Sequence, residues 1–199
     1  MKLTIVLILF SCAVTAQRGY SEAGAMVYVR AQNWNGLLDY TKAWTEAEPN
    51  NPIAWKYLAQ TYGIGLKQQE HAERAFRRAL QLKPDWAEVW HALGIVQTQL
   101  KEYSQAVESL HRAVELSPEN ANYWNNLSAA LSYTDNWNAA REALRTEQKL
   151  LMAGGRQGAV PQLWYNLGER LFQLPAVWRC TRRLSAVPAH ESELRVGLE

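Results

Sequence analysis

The chain has 199 residues, 48% of them hydrophobic, and a net charge of +2, which is enough for one domain of ordinary size with a real apolar core. Between Gln17 and Leu174 there are 16 Lys plus Arg and 16 Asp plus Glu with no basic cluster, which argues against nucleic acid as a partner. Only Cys12 and Cys180 are cysteines, and the first falls in an N-terminal leader, so no internal disulfide framework is expected and apolar packing must hold the fold.

The N-terminus reads as a secretory signal. Lys2 supplies a positive charge, Leu3 to Phe10 form an apolar run broken only by Thr4, and Val14-Thr15-Ala16 offers small residues at a cleavage point. The run is shorter than the ~20 residues that span a bilayer, so no transmembrane span is predicted. Residues 1–16 are therefore expected to be a signal peptide cleaved after Ala16. A competing reading is that Leu9-Phe10-Ser11-Cys12 resembles a bacterial lipobox, which would put a lipid anchor on Cys12; Phe10 is bulkier than the usual residue there. Either route exports the protein, most simply to a periplasm or cell envelope.

A repeat organises the rest. Pro49, Pro84 and Pro118 lie 35 and 34 residues apart, and Trp55, Trp90 and Trp124 follow them at a constant offset of six. The clearest unit carries Trp90, Leu93 and Gly94, then Ala106, Leu110, Ala113 and Pro118. The unit before it carries Trp55, Leu58, Ala59 and Tyr62, then Ala72, Phe76, Ala79 and Pro84, with one extra residue near Gly63-Ile64-Gly65. The unit after it carries Trp124, Leu127, Ser128 and Leu131, then Ala140 and Leu144. A degenerate unit precedes Pro49, with Gly24, Ala25 and Tyr28 in one half and Trp34, Leu37 and Trp44 in the other, and a half-unit with Trp164, Leu167, Gly168 and Leu171 follows.

The spacing predicts pairs of helices. Trp90, Leu93 and Gln97 fall on one face of a first helix. Gly94 has no side chain and Ala106 and Ala113 are small, so the second helix can approach closely, and Pro118 stops it. First helices are predicted near 53–63, 87–99, 121–133 and 161–173, and second helices near 35–48, 69–83, 104–117 and 137–152. Asn51 is the predicted cap of one first helix, with Pro52 just inside it. Asp85 and Glu88 suggest a capping box for the next.

The pattern W-x2-L-G-x2-Y, then A-x3-F, then P, at a 34-residue period resembles the tetratricopeptide repeat family. Gln97 stands where the tyrosine usually is and Leu110 replaces the phenylalanine. The resemblance covers Arg18 to Leu174 and implies an all-α, right-handed superhelical solenoid of antiparallel helix pairs. Its units fall at about 18–51, 52–86, 87–120 and 121–160, with the half-unit at 161–174. The repeat core is then Trp55, Leu58, Trp90, Leu93, Gly94, Ala106, Leu110, Pro118, Trp124, Leu127, Trp164, Leu167 and Gly168.

Chemistry finds little support. Gly154-Gly155-Arg156-Gln157-Gly158 has no preceding strand and no following Gly-Lys-Ser/Thr, so it reads as a helix stop and insertion that lengthens the Trp124 to Trp164 spacing to 40. His71, His91 and His111 are 20 residues apart, which does not match the repeat, so they should not converge on a metal. Asn126-Leu127-Ser128 matches a glycosylation acceptor but falls mid-helix beside a core position. No catalytic, cofactor-binding or metal residues are assigned, and the chain is not expected to be an enzyme.

In the family, first helices line a concave groove that takes up peptides or helices. Carried onto this sequence, groove residues are Lys56, Gln60, Glu88, His91, Ile95, Asn122, Asn125 and Ala129, extended by Tyr165 and Glu169. Trp86, in the turn between units, is a further candidate contact, since tryptophan is enriched among interface anchors. One subclass clamps a partner's C-terminal carboxylate with lysine, asparagine and arginine. Here only Lys56 and Asn126 come near that pattern and Ala92 replaces an asparagine, so no clamp is predicted. A neutral, amide-rich groove should bind protein or peptide with weak salt dependence. The expected function is an exported adaptor or assembly scaffold; the alternative is the targeting arm of an envelope enzyme truncated here by a frameshift.

That alternative arises from residues 175–199, which lack the repeat pattern. Back-translated and read one base forward, Pro175 onward can spell RYGDALDAFQRCLRMNPNY, a full second helix of the family with its tyrosine, alanine, phenylalanine and closing proline in place. Residues 175–199 are thus expected to be an aberrant, frame-shifted tail with no selected fold, which the codons of the gene decide.

Overall fold

The computed structural model describes residues 19–154, and all regular structure among them is helical. In chain order the helices are α1 (Glu22–Arg30), α2 (Trp34–Ala47), α3 (Pro52–Gln60), α4 (Gln69–Leu82), α5 (Ala87–Gln99), α6 (Tyr103–Leu116), α7 (Ala121–Tyr133) and α8 (Trp137–Ala153). Described residues up to Pro118 form one compact unit and those from Glu119 another. Within the first, successive helices pack in order from α1 to α6; within the second, α7 packs on α8.

Local chemistry sets the helix starts. Ser21 caps α1, Asn33 caps α2, Asn51 caps α3, Asn120 caps α7 and Asn136 caps α8, each side-chain oxygen accepting from the backbone N–H of the second or third residue of the helix. Pro52 occupies the first turn of α3, where its missing N–H costs nothing. The expected capping box at Asp85 does not form. The cap position of α5 is Trp86, which makes no side-chain cap bond, and Glu88 lies inside the first turn. The helix begins one residue later than that motif requires.

The first unit's main core joins Leu58, Ala59, Ala72, Phe76, Ala79, Leu80, Val89, Leu93 and Val96. Ala106, Leu110, Ala113 and Val114 of α6 are buried as well. A smaller N-terminal cluster of Ala25, Leu37, Trp44, Ala54 and Tyr57 is sheathed in rings, with Tyr20 and Tyr57 both stacked on Trp44. A Cβ added at Gly94 would lie 2.5 Å from Leu110 Cγ, so the α5–α6 approach requires glycine. In the second unit Leu127, Ala130, Leu131, Ala140, Ala143 and Leu144 are buried.

The extra residue of the 52–86 unit does not lengthen a loop. It widens the end of the first helix into a π-turn over Thr61–Gly65, in which Leu66 N–H donates to the Thr61 carbonyl at 3.0 Å. A Cβ at Gly65 would meet Trp34 Cε3 at 2.5 Å, so glycine lets that turn lie against α2. Between the two helices of each pair one residue adopts left-handed backbone: Gln32 (φ 52°), Lys67 (54°), Lys101 (64°) and Asp135 (56°). The first three lie in the first unit and the last in the second, and none is glycine.

Candidate functional site

Helices α3 and α5 carry the groove candidates of the first unit. Lys56 and Gln60 lie on α3, Trp86 immediately precedes α5, and Glu88, His91 and Ile95 project from α5; all are half-buried except the exposed Glu88. Their positions follow from the repeat, because leucine, glycine and alanine at neighbouring positions are spent on the second helices.

Lys56 lies at the centre of these contacts. Its side chain is only 12% exposed, and its Nζ lies 3.9 Å from Glu88 Oε1, 4.9 Å from the Tyr57 ring centre and 5.1 Å from the Trp86 ring centre. Lys83 Nζ lies 4.8 Å from that same Trp86 ring. Ammonium groups at this range are attracted to the negative face of an aromatic ring. Tyr57 Oη donates to Glu22 Oε2 at 3.1 Å, tying α3 to α1. Burial, then that bond and the nearby carboxylates, pushes the Tyr57 phenol above its ordinary value. Burial holds the His91 imidazole below its ordinary value, with Glu88 opposing in part.

Of the tryptophans expected as core, the three in the described residues, Trp55, Trp90 and Trp124, are half-buried instead. Trp55 and Trp90 pack against the core, and each indole N–H donates to a proline carbonyl six residues earlier, Trp55 to Pro49 at 2.8 Å and Trp90 to Pro84 at 2.7 Å. Each ring therefore lies between the core and the turn, with its polar N–H satisfied at the turn. Trp86 is equally half-buried against the same core, so it differs from Trp90 in its partners rather than in exposure. Trp124 is half-buried and Pro118, at the turn, is exposed.

In the second unit, Asn122 is exposed on α7, while Asn125 and Ala129 are half-buried. Asn125 Nδ2 donates at 2.7 Å to Oε1 of Glu147, a carboxylate only 5% exposed on α8. Asn125 therefore serves this helix pair, and its removal would take a hydrogen bond from a buried carboxylate, so it is a poor choice for a binding variant. Tyr165, Glu169, Trp164, Leu167 and Gly168 lie outside the described residues, as do Cys12 and the tail from 175.

The remaining candidates are separate. His71 on α4 lies against Tyr62 with ring centres 5.0 Å apart and the rings tilted by 36°, His111 on α6 pairs with Glu115 at 3.1 Å, and His91 is on α5. Asn126 of the acceptor motif is mid-helix and donates to the Asn122 carbonyl at 3.2 Å. Gly154 ends α8. Among the described residues no group of three or more His, Cys, Asp or Glu side chains could hold a metal ion, and no helix is long and apolar enough to cross a membrane. The sequence did not single out Tyr57, Glu22 or Lys83. Lys83 was findable: it immediately precedes Pro84 and so must lie in the same turn as Trp86.

Two family models match the chain. Residues 58–85 match one tetratricopeptide repeat model and residues 87–120 another. Both segments are tetratricopeptide repeats. Solved structures agree. The crystal structure of MamA superposes with a TM-score of 0.63 at 15% identity, covering 66% of this chain and 77% of that one. YrrB, described as a tetratricopeptide protein with an unusual peptide-binding site, gives 0.58 at 20% identity, covering 63% and 64%. The first tetratricopeptide region of Spaghetti (RPAP3), bound to the HSP90 peptide SRMEEVD, gives 0.52 at 22%, covering 55% and 86%. At these identities the likeness establishes the fold, an all-α solenoid of antiparallel helix pairs. No curated protein matches the sequence.

Proposed function

We propose that the protein is an exported adaptor or assembly scaffold that takes up a peptide or helix of a partner protein along its first helices. The observation that carries this is the division of labour within each pair: second helices spend small and apolar residues on the core, while α3 and α5 keep Lys56, Gln60, Glu88, His91 and Ile95 partly exposed. The peptide-binding descriptions of YrrB and the Spaghetti repeats support the same use of the fold. Export rests on the leader at 1–16, with cleavage after Ala16 or lipidation of Cys12. No catalytic role is assigned. The shifted-frame reading of residues 175–199 supports the second possibility, a targeting arm of a larger envelope enzyme.

Affinity capture with the full chain from an envelope fraction tests the main reading. Gln60→Ala with His91→Ala should remove the captured partner while circular dichroism stays unchanged. Capture that persists in that variant would place the interaction on the second helices or the turns.

A further inference from the structure

We infer that Lys56, Trp86 and Lys83 form an anion-recognition site that reads acidic side chains of the partner, an inference that rests on the peptide-binding reading above. Trp86 breaks a local rule. It occupies the cap position filled by Asn51 and Asn120 in the flanking repeats, where each asparagine bonds the second N–H of its helix, yet it makes no cap bond. A ring kept where the flanking repeats keep a cap, and only partly covered by the core, points to a use for its open side as well as its packed one. Its indole N–H has no partner among the described residues, whereas those of Trp55 and Trp90 are spent on proline carbonyls.

The charge around it is unbalanced. Two ammonium groups lie within 5.1 Å of one ring centre, and among the described residues the only carboxylate paired with either is Glu88, 3.9 Å from Lys56 and 56% exposed. Lys56 is largely desolvated, so an added carboxylate gains more there than at an open surface. Lys83 is exposed and free to close on a ligand from the turn side. The flanking Pro84 and Asp85 are exposed as well, so the site is open along the turn and accepts a chain passing across it. Side-chain carboxylates of an acidic segment fit that opening; Glu88 occupies part of the site and competes with them.

The test uses the full chain and three short fluorescein-labelled peptides, followed by anisotropy. One alternates glutamate and glycine with both ends blocked, the second carries glutamine for glutamate, and the third is the glutamine peptide with a free C-terminal carboxylate. The glutamate peptide should bind, and more weakly as salt rises. Lys83→Gln should weaken it about tenfold and Glu88→Gln should tighten it about threefold. Equal binding of the first two peptides, no binding of either, or indifference to Lys83→Gln overturns the inference, and preference for the third assigns the site to a C-terminus instead. The two proposals fail separately. If Gln60→Ala with His91→Ala abolishes partner capture but the glutamate peptide does not bind, only the anion site falls; if capture survives that variant while peptide binding depends on Lys83, only the groove reading falls.

Discussion

Trp90 shows how one position can be legible in type and illegible in detail. The constant offset of six from proline marked the tryptophans as structural, but periodicity carries no information about the bond that fixes the offset, from the indole N–H to the Pro84 carbonyl at 2.7 Å. Trp90→Phe keeps most of the ring and loses that bond, so it should cost about 1 kcal/mol in a urea melt. Trp90→Ala also loses packing and, for a half-buried ring, should cost about 3 kcal/mol. Equal stability of wild type and Trp90→Phe would remove the bond from the account. Asn125 shows the opposite case. Its place on a first helix suggested a groove contact, yet its partner Glu147 lies 22 residues away on α8, a pairing that no repeat spacing announces. Gly94 was fully legible, because a glycine at a helix crossing has one common reason, and Leu110 Cγ supplies it.

At the scale of elements, the turns between paired helices hold the least optimised residues. Lys101 is held at φ 64° and Asp135 at φ 56°, where glycine carries no Cβ penalty. Lys101→Gly should therefore raise stability by up to about 1 kcal/mol, read as a higher melting temperature, and Asp135→Gly should gain less because aspartate tolerates that region better. A loss of stability in Lys101→Gly would show that its side chain makes a compensating contact. Among the described helices, hydrophobic spacing placed α2 and α4 to α8 within a residue or two, while α3 gives way to the π-turn after Gln60 and α1 had no predicted range. The range of α5 was read correctly but its cap was not: Asp85 and Glu88 mimic a capping box, whereas the cap position is Trp86, which makes no cap bond. The 35-residue spacing announced an extra residue, but not that a π-turn would absorb it; that depends on Gly65 fitting under Trp34.

For the whole molecule, the repeat family and the helical solenoid follow from the regular spacing of a few large and small side chains. The partner does not, since groove side chains are free to vary without disturbing the core. Export and the shifted frame beyond Leu174 rest on sequence alone. The central claim is that partners bind the first helices, and three histidines report on it directly. His91 lies on α5, while His71 and His111 are exposed on the second helices α4 and α6. Diethyl pyrocarbonate labelling of the chain, free and bound to its captured partner, should show His91 protected and His71 and His111 labelled as before. Protection of His71 or His111 with His91 unchanged would contradict the account.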